Sequence, residues 1–111
     1  MLRALDRSEW QLYCENISDA LQESEAGIEV DSVEIGAQVA VRSLPLIGIT
    51  YDRNDDIIDI AFEGFDHIIE HPRELCIDAS PEAVSVLEII DKTGAQHIVK
   101  LKEKLLLARP H

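Results

Sequence analysis

Cysteine is nearly absent: Cys14 and Cys76 lie in unrelated segments, and no C-x-x-C spacing occurs. No disulfide framework is available, and both thiols read as small buried hydrophobes of a reducing compartment. Long apolar runs are missing too. No window approaches the roughly 18–20 uninterrupted apolar residues of a membrane helix. Met1-Leu2-Arg3-Ala4-Leu5-Asp6-Arg7-Ser8 holds no run of signal-peptide length. A cytoplasmic location without membrane association is the expectation. Positive charge is scarce as well: 10 basic against 22 acidic side chains give a net charge of −12. Such a polyanion is repelled by phosphates, which argues against nucleic acid and anionic membranes as partners. The few bases are unevenly placed, with 5 basic and 21 acidic residues over 1–91 but 5 basic and 1 acidic over 92–111. No phosphate-cradling glycine loop and no G-x-S-x-G elbow is present.

An apolar fraction of 46% over 111 residues is that of one folded domain, 1–111, with a core of its own. The centre of that core is the stretch Leu44 to Gly64. Leu46-Ile47-Gly48-Ile49-Thr50-Tyr51 and Ile57-Ile58-Asp59-Ile60-Ala61-Phe62 flank a polar Asp52-Arg53-Asn54-Asp55-Asp56 loop, which predicts a β-hairpin. Period-two spacing assigns Ile47, Ile49 and Tyr51 to one face of the first strand, and Ile58, Ile60 and Phe62 to one face of the second.

Ahead of it, Trp10, Tyr13, Cys14, Ile17 and Leu21 recur at helical spacing, predicting an amphipathic helix over about 6–24. Asp6 with Glu9, or Ser8 with Gln11, has the capping-box spacing, and Gly27 suits the left-handed residue after the helix. From Ile28 the period changes to two, giving short strands through Val30, Val33 with Ile35, and Val39 with Val41. Pro45 marks a kink or edge. The segment from Gly64 to Arg73 breaks the alternation and reads as a helical turn or crossover. Leu75 to Asp78, Val84 to Ile90 and Ile98 to Leu101 read as strands, with a turn at 79–82 and a last apolar segment reaching Leu107. Asp91-Lys92-Thr93-Gly94-Ala95 is a hairpin loop with Gly94 left-handed. The sum is an α+β domain: a helix packed on a curled, mostly antiparallel sheet or small barrel of about six to eight strands.

Several constellations carry possible chemistry. His67-Ile68-Ile69-Glu70-His71 matches the H-x-x-E-H pattern of inverted zinc peptidases; on a helix His67 and His71 could share a metal beside Glu70. Pro72 follows directly and would cut such a helix short. Asp52 to Asp56 with Glu63 partly matches a calcium loop, but Ile57 stands where that loop requires glycine. Cys76 with His67 or His97 is a conceivable thiol–imidazole pair. Lys100, Lys102 and Lys104 share a face of the last strand, either anchoring an acidic partner or neutralising neighbouring acids.

The chain as a whole resembles a known family through Arg7-Ser8-Glu9-Trp10, Pro45-Leu46-Ile47-Gly48-Ile49-Thr50-Tyr51-Asp52 with Asp55-Asp56, Asp66-His67-Ile68-Ile69, His71-Pro72-Arg73-Glu74 and Ile98-Val99-Lys100-Leu101. The family is one of small acidic prokaryotic proteins known only as a domain of unknown function. The resemblance implies a stand-alone domain and assigns no catalytic residue. The leading expectation is a non-enzymatic interaction module, without a cofactor, that binds a protein partner or forms a homodimer through a free strand edge. The alternatives are a metal-dependent hydrolase on His67, Glu70 and His71, and a small-ligand binder with a pocket between helix and sheet.

Overall fold

The computed structural model describes residues 2–21, 23–78 and 83–106, the side chain of Lys104 excepted. The expected turn at 79–82 and the end of the last apolar segment at Leu107 lie outside these residues. Strand β1 (Arg3–Ala4) leads through a 3-10 turn (Arg7–Glu9) into α1 (Trp10–Ala20). Then come β2 (Glu25–Ser32), β3 (Gly36–Asp52), β4 (Ile57–Phe62), β5 (Phe65–Glu70), β6 (Glu74–Ile77), β7 (Ala83–Ile90) and β8 (Gln96–Leu106). The strands form one antiparallel sheet in the order β1-β6-β7-β8-β2-β3-β4-β5. This is the expected α+β architecture in its open form: β1 and β5 end the sheet and do not close it into a barrel. Two meanders, β2 to β5 and β6 to β8, are joined by β2 pairing with β8 from Ala26↔Leu101 to Asp31↔Gln96.

Strand β3 belongs to both halves of the first meander. Its early part pairs with β2, from Gly36 to Pro45, and its late part with β4, from Leu46 to Asp52. Pro45 stands at the handover; it has no N–H to give a ladder, and its carbonyl accepts from Glu63 N at 3.1 Å. Past the handover α1 takes over the side that β2 has left. Ile49 N–H donates to Ser18 Oγ and Ser18 Oγ–H donates to the Ile49 carbonyl, both at 2.9 Å. Those two backbone groups, stranded by the end of β2, are satisfied by one hydroxyl.

The helix buries Trp10, Tyr13, Cys14 and Ile17 against the concave side of the sheet, as their spacing predicts. Trp10 meets Tyr51 edge to face at 5.2 Å, and its indole N–H donates to the Leu5 carbonyl at 3.1 Å. Around them lie Ile49, Ile58, Ile60, Phe62, Ile69, Leu75, Ile77, Leu87, Ile89 and Val99. Ile47 departs from the expected face. A bulge between Leu46 and Gly48 inserts one residue, so Leu46 is buried and Ile47 is 62% exposed.

Four further boundaries differ from the periodicity. The helix ends at Ala20, with Leu21 extended, and neither Asp6 nor Glu9 caps it through a side chain. Gly27 is no helix cap but a β2 residue, where a Cβ would stand 2.5 Å from the Arg42 carbonyl oxygen. Val33 and Ile35 lie in the β2–β3 turn, not on strands, 98% and 67% exposed, ahead of left-handed Gly36 (φ 79°). The segment after Gly64 is strand β5, turned back on β4 through a two-residue loop at Gly64 (φ 79°) with Phe62↔Phe65 closing it. Outward Ile68 breaks the polar–apolar alternation of β5, which is why the segment does not read as a strand.

Candidate functional site

The strand at 65–70 separates the residues of the H-x-x-E-H pattern. His67 turns to the inner face, Glu70 is exposed, and His71 lies beyond the strand in a left-handed conformation (φ 49°). The two imidazoles belong to different centres, and Glu70 to neither. Among the described residues no three His, Cys, Asp or Glu side chains gather closely enough to hold a metal ion.

His67 joins a chain that crosses the mouth of the curled sheet, from β5 to β8. Its Nε2 lies 3.0 Å from His97 Nδ1, and His97 Nε2 donates to Asp91 Oδ2 at 2.9 Å. Partial burial pulls the Asp91 pKa up. The hydrogen bonds from the Thr93 hydroxyl, His97 and the N–H groups of Thr93 and Ala95 outweigh it and bring the carboxyl to about 2. Ionised Asp91 therefore holds a proton on His97 Nε2 and orients the ring so that its Nδ1 faces His67 Nε2. Burial, then the neighbouring His97, holds the His67 pKa below the ordinary imidazole value. His97 is the one buried polar side chain of the described core. The sequence gives no sign of this pairing, because the partners are 30 positions apart.

His71 belongs to a clamp at the opposite end of β5. Its Nδ1 is 3.2 Å from Asp56 Oδ2, while Asp56 Oδ1 accepts from Tyr51 Oη (3.0 Å) and Arg7 Nη1 (3.1 Å). Arg7 Nη2 donates to the Pro72 carbonyl at 2.8 Å, and the guanidinium lies over Trp10, 4.3 Å from its centroid. The clamp ties the start of the helix to the ends of β3, β4 and β5. Slight burial raises the Asp56 pKa, but the bonds from Tyr51, His71 and Arg7 leave it below the ordinary carboxylate value. Asp52 Oδ1, for its part, accepts from the N–H of Asn54 and of Asp55. The resemblance to a calcium loop thus resolves into a hairpin tip stabilised by its own carboxylates.

The thiols are poor nucleophiles. Burial, then Glu15, pushes Cys14 up to about 12, and burial with Glu74 and Glu88 raises Cys76. Cys76 stands opposite Glu88, while the ring nitrogens of His97 face Asp91 and His67. Between the start of the helix and the end of β3 lie two polar hollows, one of about 510 Å³ lined by Gln11, Thr50, Tyr51, Asp52, Arg53 and Asn54 and one of about 360 Å³ lined by Arg7, Ser8, Gln11, Tyr51 and Arg53.

Lys100 and Lys102 line a depression of about 490 Å³ on the face shared by β8, β2 and β3, with Gly27 and Arg42. Lys102 lies 3.7 Å from Glu25, whose other oxygen accepts from Ser43; this fits charge neutralisation within the sheet. The side chain of Lys104 lies outside the described residues.

Among the described residues several strand edges are unpaired, three of which bear on docking. Terminal β1 is only two residues long, and terminal β5 carries Asp66, His67 and Glu70; short length and charge both discourage further pairing. The third edge is the side of β3 facing away from β2, residues 36–44, with which no strand pairs among the described residues. From Gly36 to Val41 it carries no charge, and its Val39 is 61% exposed. At its far end a groove of about 350 Å³ runs between Ala40–Leu44 and Phe65.

An uncharacterised protein of Aquifex aeolicus (strain VF5) is 36% identical over 106 residues, covering 95% of this chain and 96% of its own length. No solved structure matches the chain. Among the described residues no helix is long and apolar enough to cross a membrane. A model of a family of unknown function, DUF5335, matches residues 1–110, and the chain belongs to that family.

Proposed function

We propose that this protein is a non-enzymatic interaction module that takes a strand of a protein partner onto the free edge of β3 between residues 36 and 44. The observation that carries this reading is the contrast between edges. In a chain of net charge −12, β1 and β5 are blunted by brevity and charge, whereas Gly36–Val41 has neither safeguard. Unpaired backbone N–H and C=O groups on such an edge supply main-chain hydrogen bonds to an added strand, and the Phe65 groove supplies side-chain contact. The imidazole centres support this reading indirectly, since each is engaged in holding strands together.

Site-specific photocross-linking tests it. Benzoylphenylalanine placed at Val39 should give discrete protein adducts in cells, and the same probe at exposed Thr93, on the β7–β8 turn, should not. Equal yields at the two positions, or none at Val39, would refute the proposal.

A further inference from the structure

We propose that the two polar hollows between the start of the helix and the tip of the β3–β4 hairpin hold one small hydroxylated molecule ending in an oxyanion, its anionic end between Arg7 and Arg53. This site lies at the other end of β3 from the strand edge and is independent of it. Residues 1–91 contain 5 basic side chains, all of them arginine, and two of these line the smaller hollow. The rest of its lining is Ser8, Gln11 and Tyr51. In a chain with 22 acids, no carboxylate lines this hollow among the described residues. A net charge of −12 repels anions at long range, so only a local lining of this kind attracts one.

The hydrogen bonds left over decide what the smaller hollow takes. Arg7 Nη1 gives one hydrogen to Tyr51 Oη at 3.0 Å and one to Asp56 Oδ1 at 3.1 Å, and Nη2 gives one to the Pro72 carbonyl at 2.8 Å. One Nη2–H and the Nε–H remain, on a guanidinium held still by those bonds and by stacking on Trp10. Arg53 is exposed and makes no ion pair or side-chain hydrogen bond among the described residues. Its neighbours are occupied elsewhere: Asp52 Oδ1 accepts from the N–H groups of Asn54 and Asp55, and Asp56 serves Tyr51, Arg7 and His71. Tyr51 donates its own hydroxyl hydrogen to Asp56. The donors available to a guest are therefore the two guanidiniums, the Ser8 hydroxyl and the Gln11 amide. Such a set suits a phosphate or carboxylate group, which offers several acceptor oxygens.

The larger hollow decides the rest of the ligand. It shares Gln11, Tyr51 and Arg53 with the smaller one and adds Thr50, Asp52 and Asn54. Hydroxyl, amide and carboxylate groups line it, which match hydroxyls and not hydrocarbon. Asp52 belongs to the larger hollow only, and its Oδ2 has no donor among the described residues. This sets the direction of the ligand, with hydroxyls toward Asp52 and the anion toward Arg7. The volumes, about 360 and 510 Å³, fall in the range of roughly 300–1,000 Å³ usual for small-molecule sites. The class is a sugar phosphate or a sugar acid.

Nitrogen–proton correlation spectra of the isotope-labelled full chain test the proposal, with glucose 6-phosphate, gluconate, glucose and inorganic phosphate as probes to about 20 mM. Glucose 6-phosphate, gluconate or both should shift amides within residues 7–11 and 50–54. A dissociation constant on the order of 0.1–1 mM fits a site whose Ser8, Gln11 and Arg53 are exposed. A response to one of the two alone tells phosphate from carboxylate. Glucose lacks the anion and inorganic phosphate lacks the hydroxylated part, so each should bind about tenfold more weakly. Arg53→Gln should weaken the sugar anion about tenfold. Arg42→Gln removes the same charge from the early half of β3 and should leave affinity within about twofold. Both positions are exposed, and matching thermal melts exclude a folding effect. No shift with either sugar anion, glucose or inorganic phosphate binding as tightly as the sugar anion, or equal losses in the two variants would each overturn the site. Cross-linking at Val39 reads a different surface, so the strand-edge reading stands or falls separately.

Discussion

Replacing Gly27 by alanine tests how closely β2 and β3 approach. A methyl group at this position would lie 2.5 Å from the Arg42 carbonyl oxygen, 3.0 Å from that of Val41 and 3.3 Å from the Arg42 carbonyl carbon. All three atoms are backbone, so no side chain can rotate away, and β3 must retreat by about an ångström to reach the 3.4 Å of ordinary contact. That displacement loosens buried Val41 and strains the bulge between Ala26 and Ile28. Overpacking of this kind costs about 1–3 kcal/mol, and the stiffer unfolded chain returns about 0.5–1 kcal/mol of it. A net loss of about 1–2 kcal/mol lowers the melting temperature of a domain this size by roughly 5–10 °C. Urea unfolding and thermal melts followed by circular dichroism measure it. Gly27→Asn should be worse than Gly27→Ala, since the obstacle is volume. At Gly36 (φ 79°), where nothing stands within 4 Å, the order reverses because asparagine tolerates the left-handed region better. A Gly27→Ala protein as stable as wild type, or an asparagine that outperforms alanine there, would refute the packing argument and restore the helix-cap role suggested by sequence.

The His67–His97–Asp91 chain makes stability depend on pH. The His67 pKa is lowered in the fold, so below the unfolded value of about 6.5 the unfolded chain takes up a proton that the native chain resists. Stability should therefore fall between about pH 7 and pH 5, and His67→Asn should flatten that part of the curve in denaturant titrations; an unchanged slope refutes the assignment. Asp91, held to about 2, contributes in the opposite region, its stabilisation being present above the ordinary carboxylate range and lost only in stronger acid. Arg7→Lys should cost about 1–2 kcal/mol in urea unfolding, because one ammonium cannot serve Pro72, Tyr51 and Asp56 in the geometry of the guanidinium; full stability would mean that the clamp is incidental. Ile47→Lys should stay within about 0.5 kcal/mol of wild type, while Ile49→Ala should lose about 2–5 kcal/mol, and similar losses at both would contradict the bulge.

Local chemistry made part of this fold legible. The helical stripe of Trp10, Tyr13, Cys14 and Ile17, the alternation of Ile58, Ile60 and Phe62, and the Asp91–Gly94 turn are each decided by neighbours a few residues away, and the structure follows them. Ile47 departs from the period-two pattern because a bulge adds one residue at a point that the strand itself does not mark, and Gly27 departs from the helix-cap reading because the helix stops at Ala20 and β2 begins at Glu25. The histidines failed for a different reason. His67 and His71 are close in sequence, but an extended strand carries them apart, and the partner of His67 lies on β8. The free edge of β3 was equally hidden, because it depends on β2 and β4 taking opposite sides of one strand.

The ladder between β2 and β8 joins segments about 70 positions apart. A ribosome adding about 5–20 residues per second needs several seconds or more to make the second after the first. Throughout that interval the nascent β2–β3 hairpin has both flanks open, so solubility during synthesis hangs on the arrival of residues 96–106. Premature termination anywhere before them should yield inclusion bodies, not a smaller folded product.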